Sequence, residues 1–211
     1  MEQIKQFVKK ELAHTESGHG YWHAIRVLNN TRLIAMKESC NHTVAEAAAL
    51  LHDVCDIKLT GTSLETQQDK IREFLGELQY ASADIAHIEQ IIAHMSFRDG
   101  FDKKTFSSKE LDVVQDADRL DAIGAIGIAR AFSYGGHKNR EMHDPDVPPA
   151  AFSSKEEYTS AASPTINHFY EKLLKLKSLM NTDTAKQIAE SRHRFMEEYL
   201  VQFLAEWQGD R

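Results

Sequence analysis

The four prolines of this 211-residue chain, Pro145, Pro148, Pro149 and Pro164, fall within a span of twenty residues, and the 144 residues before them contain none. Proline removes a backbone donor and blocks helix interiors and sheet ladders, so irregular structure is concentrated in one place. The segment 133–163, opened by Gly135-Gly136 and carrying His137, Lys138, Arg140 and His143, is expected to be a long loop. Loops of that length in compact domains are usually functional or mobile. Helical patterns resume on both sides and no Ser/Gly linker intervenes, so the loop is not expected to mark a domain boundary.

Outside that segment the apolar residues recur with period 3.6, not 2. Leu111, Val114, Ala117, Ala122, Ala125, Ala129 and Phe132 follow one helical stripe, with Ser107 and Glu110 offering a capping box at its start. Ile166, Phe169, Tyr170, Leu173, Leu176 and Met180 form a second stripe, and Ile188, Phe195, Met196, Tyr199, Phe203 and Trp207 a third. Asn181-Thr182-Asp183 divides these two, which suits a helical hairpin over 164–208. Weaker helical patterns cover 1–13, 21–38, 63–78 and 81–94. With no alternating β-run and no internal repeat, the expected architecture is a single all-α domain of about eight helices spanning 1–211.

Composition narrows the partners. The chain carries 25 Lys+Arg against 32 Asp+Glu, a formal charge of −7, whereas a nucleic-acid polymer is bound through a cationic surface that releases counterions. A small phosphorylated ligand is compatible, because one local site can be positive on a negative protein. No stretch approaches the roughly 20 apolar residues of a membrane span. Residues 1–10 alternate charged and apolar positions and do not read as a secretory signal. Cys40 and Cys55, without CxxC spacing, suggest neither a disulfide framework nor a thiolate zinc site, so a reducing cytoplasm is the expected compartment.

The segment from Thr43 to Val54 carries the most chemical information. Thr43 and Glu46 form a second capping box, and the run from Ala47 to Leu51 is apolar on every face, as in a helix buried in a core. His52 and Asp53 interrupt that pattern at its end. An ionised Asp in such surroundings costs several kcal/mol to desolvate and needs a strong partner: a metal ion, an Arg or the network of His52. In Trp22-His23-Ala24-Ile25-Arg26-Val27, His23 and Arg26 lie three apart on one helical face among apolar neighbours. The run from Val113 to Asp121 holds Asp116, Asp118 and Asp121 in a helix that continues into Ile123-Gly-Ala-Ile-Gly-Ile128, too apolar for a surface element. Gly124 and Gly127 weaken such a helix unless a neighbouring helix approaches closely. Two His and two Asp drawn from three helices would form a neutral site for a divalent cation, and imidazole with carboxylate suits Mn²⁺, Fe²⁺, Co²⁺, Ni²⁺ or Zn²⁺. Such an ion lowers the pKa of bound water and neutralises charge on phosphoryl oxygens, so the expected chemistry is hydrolysis. Periodicity alone leaves Asp116 and Asp118 both open as the last ligand, and His19, one helical turn before His23, open as the first.

The order His23, His52-Asp53, Asp118 resembles the H…HD…D signature of the HD superfamily of metal-dependent phosphohydrolases. The flanks are similar as well: His-x-x-Arg-Val at 23–27, Leu-Leu-His-Asp at 50–53 and Ala-Asp-Arg-Leu at 117–120. Ser17-Gly18-His19, Asp116 to Asp121, and the run from Ile166 through Ala189-Glu-Ser-Arg-His to Trp207 resemble a bacterial subgroup of stand-alone HD proteins, so the likeness spans roughly residues 15–207. It implies an HD core over about 15–134 and hydrolysis of a small phosphorylated metabolite. In that subgroup the substrate implied is a nucleotide, with pyrophosphate release from (d)NTPs among the reactions. It also implies His23, His52, Asp53 and Asp118 as ligands of one divalent ion, Mn²⁺ first, with Mg²⁺, Ni²⁺, Co²⁺, Fe²⁺ and Zn²⁺ as other choices. Its Arg-Val context favours His23 over His19, and its Ala-Asp-Arg-Leu context favours Asp118 over Asp116. Related dinuclear phosphodiesterases and iron oxygenases recruit further His pairs; only His87 and His94, seven apart, are present here, and one metal is expected. Arg26, Lys58 and His94 are the candidates for fixing phosphate oxygens, and Lys138, Arg140 and His143 could close over a triphosphate. The rival class is a non-catalytic nucleotide-binding module whose metal is structural.

Overall fold

The computed structural model describes residues 1–13, 18–54, 64–95, 106–151 and 163–210. Among them the period-3.6 pattern gives α1 (Glu2–Glu11), α2 (Tyr21–Ala35), α3 (His42–Leu51), α4 (Leu64–Glu77), α5 (Ser82–Ala93), α6 (Lys109–Asp121), α7 (Gly124–His137), α8 (Thr165–Glu171), a 3₁₀ helix (Leu173–Leu179) and α9 (Asp183–Gln208), with no strand among the described residues. The helices group into two compact units, Met1–Asp118 and Arg119–Arg211, each with its own core.

In the first unit α3 is the central element. Val44, Ala45, Ala47, Ala48, Ala49, Leu50 and Leu51 are all fully buried, so every face meets protein. Its many alanines leave room for α1, α2 and α5 to pack against it. The helix begins at Asn41, whose side chain accepts from the Val44 amide at 3.2 Å, ahead of the Thr43 box that the sequence predicts. Glu46 instead takes Arg32 of α2, at 2.6 and 3.0 Å. The cap of α6 is likewise displaced: Ser108, not Ser107, accepts from Leu111 N, and Glu110 accepts from the Asn41 amide at 2.6 Å. In both cases the acid of the supposed box has a better partner on another helix. Phe7 of α1 stacks on Phe74 of α4 with centroids 4.2 Å apart. Cys40 is half-buried and not a core residue, and Cys55 lies outside the described residues.

The second unit departs further from the expected pattern. α7 runs through Gly135-Gly136 to His137, so irregular chain opens at Lys138, not Ser133. The reason lies in packing, because a Cβ at Gly135 would run into the Thr165 hydroxyl of α8. Gly124 adopts φ +74° against the Arg192 stem of α9, a close approach of a neighbouring helix as expected. Gly127 has a different cause: its bare Cα faces the carbonyl of Ala122, in the turn between α6 and α7. The second stripe is not one helix. At Lys172 (φ −139°, ψ −58°) α8 stops, and the 3₁₀ segment carries Leu173 and Leu176 into the core. α9 opens on Thr182, whose hydroxyl accepts from the Ala185 amide, and closes on Gly209 in the left-handed region. Its buried line is Ala185, Ala189, Met196 and Leu200, while Phe195, placed in the stripe by spacing, is 49% exposed. Phe132, Phe169, Tyr199 and Phe203 instead form an aromatic cluster with centroids about 6 Å apart, on the scale where offset or edge-on pairs attract.

His168 of α8 is a half-buried histidine in this unit. Burial, then the charges of Lys172 and Arg140, push it down to about 4 from an ordinary value of 6.5. A histidine neutral in the folded state binds its proton on unfolding, so its contribution to stability is complete above pH ~6.5 and is lost as pH falls towards 4. Urea unfolding midpoints should therefore drop across that window, and His168→Gln should flatten the dependence by up to one proton; identical pH slopes in the two proteins would show that His168 does not titrate this way.

Candidate metal centre

The site belongs wholly to the first unit. α2 contributes His23, which is 1% exposed; the end of α3 contributes His52 and Asp53, 8% exposed each; and α6 contributes Asp118, on the solvent side. The backbone at His52 is still helical (φ −58°, ψ −38°), so its Nδ1–H donates to the Ala49 carbonyl at 2.8 Å. A carbonyl can only accept, so in the neutral ring the lone pair sits on Nε2, which faces the cluster. There it lies 3.3 Å from His23 Nε2 and 3.3 Å from Asp53 Oδ1. His23 Nε2 is in turn 3.4 Å from Asp53 Oδ2 and 3.4 Å from Asp118 Oδ1. His23 is thus the hub on which both carboxylates and the second imidazole converge.

His19, on the bend before α2, enters the same cluster. Its Nδ1–H donates to Asp53 Oδ2 at 3.2 Å, and its ring stands edge-on to that of His23 with centroids 5.4 Å apart. Burial pushes the Asp53 carboxyl up, but His52, the hydrogen bond from His19 and the charge of His23 together outweigh it and hold the group below the usual carboxylate range. The metal-capable groups among the described residues are His19 with His23 and Asp53, and His23 with His52 and Asp118, the donor atoms of each lying within 4.8 Å of one another. Bonds of about 2.1 Å to one ion put neighbouring ligand atoms roughly 3 Å apart, close to the separations seen here. Two imidazoles and two carboxylates also balance a divalent charge, so the donors fit such an ion by spacing within each group of three, by tautomer and by charge.

Asp116 is fully buried but belongs to neither group, so of the two open carboxylates it is Asp118 that is brought to the cluster. Arg26 lies one turn beyond His23 on α2 and is half-buried. His94, at the end of α5, joins neither metal-capable group; its Nδ1–H donates to the Gln90 carbonyl at 2.7 Å and its ring packs on Phe106. Lys58 lies outside the described residues. His87 meets Ser108 Oγ at 3.0 Å and Glu110 at 3.5 Å, and so serves the cap of α6. In the second unit Lys138 and Arg140 both lie over the Tyr134 ring at 5.6 Å, and His143 packs edge-on against Trp207.

Asn30 is a supporting residue that the sequence motifs do not single out. Buried on α2, it donates to the Ala117 carbonyl of α6 at 3.0 Å, next to Asp118. Its signal was its spacing: seven residues after His23, it shares the same helical face.

The HD domain family model matches residues 20–123, which include His23, His52, Asp53 and Asp118. Bacillus subtilis YpgQ is 39% identical over 202 residues, covering 95% of this chain and 90% of the relative. Among solved structures, an HD-superfamily hydrolase from Bacillus thuringiensis is 44% identical with a TM-score of 0.79, covering 98% of this chain and 96% of its own. A Lactobacillus plantarum protein is 44% identical with a TM-score of 0.81, covering 99% and 96%. Bacillus subtilis YpgQ in complex with ADP aligns with a TM-score of 0.76 at 36% identity, covering 97% and 96%.

Removing the Asn30 amide should take from the Ala117 carbonyl its second hydrogen bond, beyond that of its own helix, and loosen the tie between α2 and α6. Asn30→Ala is expected to cost about 1–3 kcal/mol in urea unfolding and to weaken Mn²⁺ binding by roughly 10–100-fold in calorimetry. Unchanged Mn²⁺ affinity would remove Asn30 from the support of the site.

Proposed function

The chain belongs to the HD superfamily, and from that premise we propose that it is a divalent-metal-dependent phosphohydrolase acting on a small phosphorylated metabolite, a nucleotide. The observation that carries this reading is the convergence of His23, His52, Asp53 and Asp118, in a largely buried setting, on spacings that suit one cation. An imidazole and carboxylate donor set accepts Mn²⁺, Co²⁺, Ni²⁺, Fe²⁺ or Zn²⁺; Mn²⁺ is placed first, and Mg²⁺ kept among its competitors, on the family likeness. When bound, the ion supplies a lowered pKa for a coordinated water and positive charge beside the phosphoryl oxygens.

The residues of the chain supply the rest. The His52 Nδ1–H bond to Ala49 keeps the Nε2 lone pair turned inward, and Asp53 and Asp118 provide the two negative charges. Arg26, one helical turn from His23, is assigned to a phosphate oxygen, where a guanidinium binds in a planar fork. Lys58 and His94 are kept as further phosphate-side groups on the sequence pattern; with its Nδ1–H on the Gln90 carbonyl, His94 would meet a phosphate through Nε2. A nucleotide is supported by the ADP complex of Bacillus subtilis YpgQ and by the charge of −7, which disfavours long polyanions while leaving a small anion free to enter a metal-charged site.

A screen of nucleoside mono-, di- and triphosphates with Mn²⁺, Mg²⁺, Ni²⁺ and Co²⁺, separating orthophosphate from pyrophosphate, tests the assignment. Turnover is expected with Mn²⁺, and Asp53→Ala should lose about 10³-fold or more, since several kcal/mol of charge stabilisation goes with the ion. A folded parent that binds the ion and a nucleotide but turns over none would point instead to a binding module with a structural metal.

A further inference from the structure

We propose that His19 is a fifth protein donor to the cation that His23, His52, Asp53 and Asp118 would hold, entering from the solvent side; this rests on the metal-centre reading above. The two oxygens of Asp53 are divided: Oδ1 faces His52 Nε2 at 3.3 Å, while Oδ2 faces His19 Nδ1 at 3.2 Å and His23 Nε2 at 3.4 Å. His19, His23 and Asp53 therefore make a second three-donor group that shares His23 with the group of His52 and Asp118. His23 and Asp53 are common to this group and to the four-residue set, so an ion taken up between them would also face His19, whose Nδ1 proton it would displace. An imidazole would add a donor without changing the charge balance of the site.

The placement of His19 also suits an exchangeable ligand. The other two imidazoles are buried, whereas the His19 side chain is 53% exposed and stands on the bend before α2, whose cap residue Gly20 is extended. Its ring can reach the cluster or leave it without disturbing a helix. A third imidazole also raises the nitrogen share of the donor set, which favours Co²⁺ and Ni²⁺ over Mg²⁺.

Cobalt is the probe, because its visible absorption reports the number and kind of donors directly. The full-length protein, stripped of metal, is titrated with Co²⁺ as wild type, His19→Ala and His19→Gln, with helical circular dichroism as the control for folding. Gln keeps an N–H that can donate to Asp53 but removes the imidazole donor. Both variants are expected to bind Co²⁺ at least about tenfold more weakly, with a changed visible band shape, and to lose less affinity for Mg²⁺ than for Co²⁺. If His19→Gln matches wild type in affinity and spectrum, His19 only orients Asp53 and the proposal fails. It fails equally if His19→Ala is indistinguishable from wild type. A wild type that takes up no Co²⁺ would instead overturn the metal-centre reading itself, so the two failures are told apart.

Discussion

A carboxylate folded into an apolar interior must be compensated where it stands, and Asp53 is the group that imposes this on the first unit. Its neighbours in the chain, Leu50, Leu51 and Val54, are fully buried. At low effective dielectric an uncompensated charge there would cost several kcal/mol, out of a total stability of only about 5–15 kcal/mol. Three imidazoles surround it, and they hold the carboxyl ionised against the pull of burial. Once those rings give up the protons that face Asp53, the same nitrogens can donate to a divalent ion, so the arrangement that keeps the fold tolerable is the one that suits a hydrolase centre.

The rest of the first unit positions those groups. The alanine-rich α3 lets α2 approach, the Arg32–Glu46 pair ties the same two helices at the far end, and Asn30 ties α2 to α6 beside Asp118. None of these residues need touch a substrate. Their effect is to bring side chains 23, 52, 53 and 118 to within hydrogen-bonding range across up to 95 positions of sequence.

Much of this was legible from residue order because the relevant signals are local. Helices at 21–35, 64–77 and 82–93 follow from apolar periodicity, and the buried character of α3 from an apolar run with no polar face. The four clustered donors carried distinctive flanks. The features that escaped were decided by partners on other elements. Thr43 and Ser107 looked like caps, but Glu46 and Glu110 were claimed by Arg32 and by the Asn41 amide. Gly135-Gly136 looked like a break, but the first of the two is a contact surface for Thr165. Phe195 fits the stripe of α9 by spacing and yet faces solvent, since Met196 beside it fills the core. His19 read as a competitor of His23, and the geometry has both on Asp53.

The bond from His52 Nδ1 to the Ala49 carbonyl has a wider meaning. Histidine ligands are often steered by a separate carboxylate, which must then be preserved along with the ligand. Here the steering atom belongs to the main chain three residues earlier, and any residue at position 49 presents the same oxygen. Orientation of the ring is thus inherited from the helix itself. Drift in the side chains around α3 can alter packing and stability while leaving the direction of that lone pair untouched, for as long as the last turn stays wound.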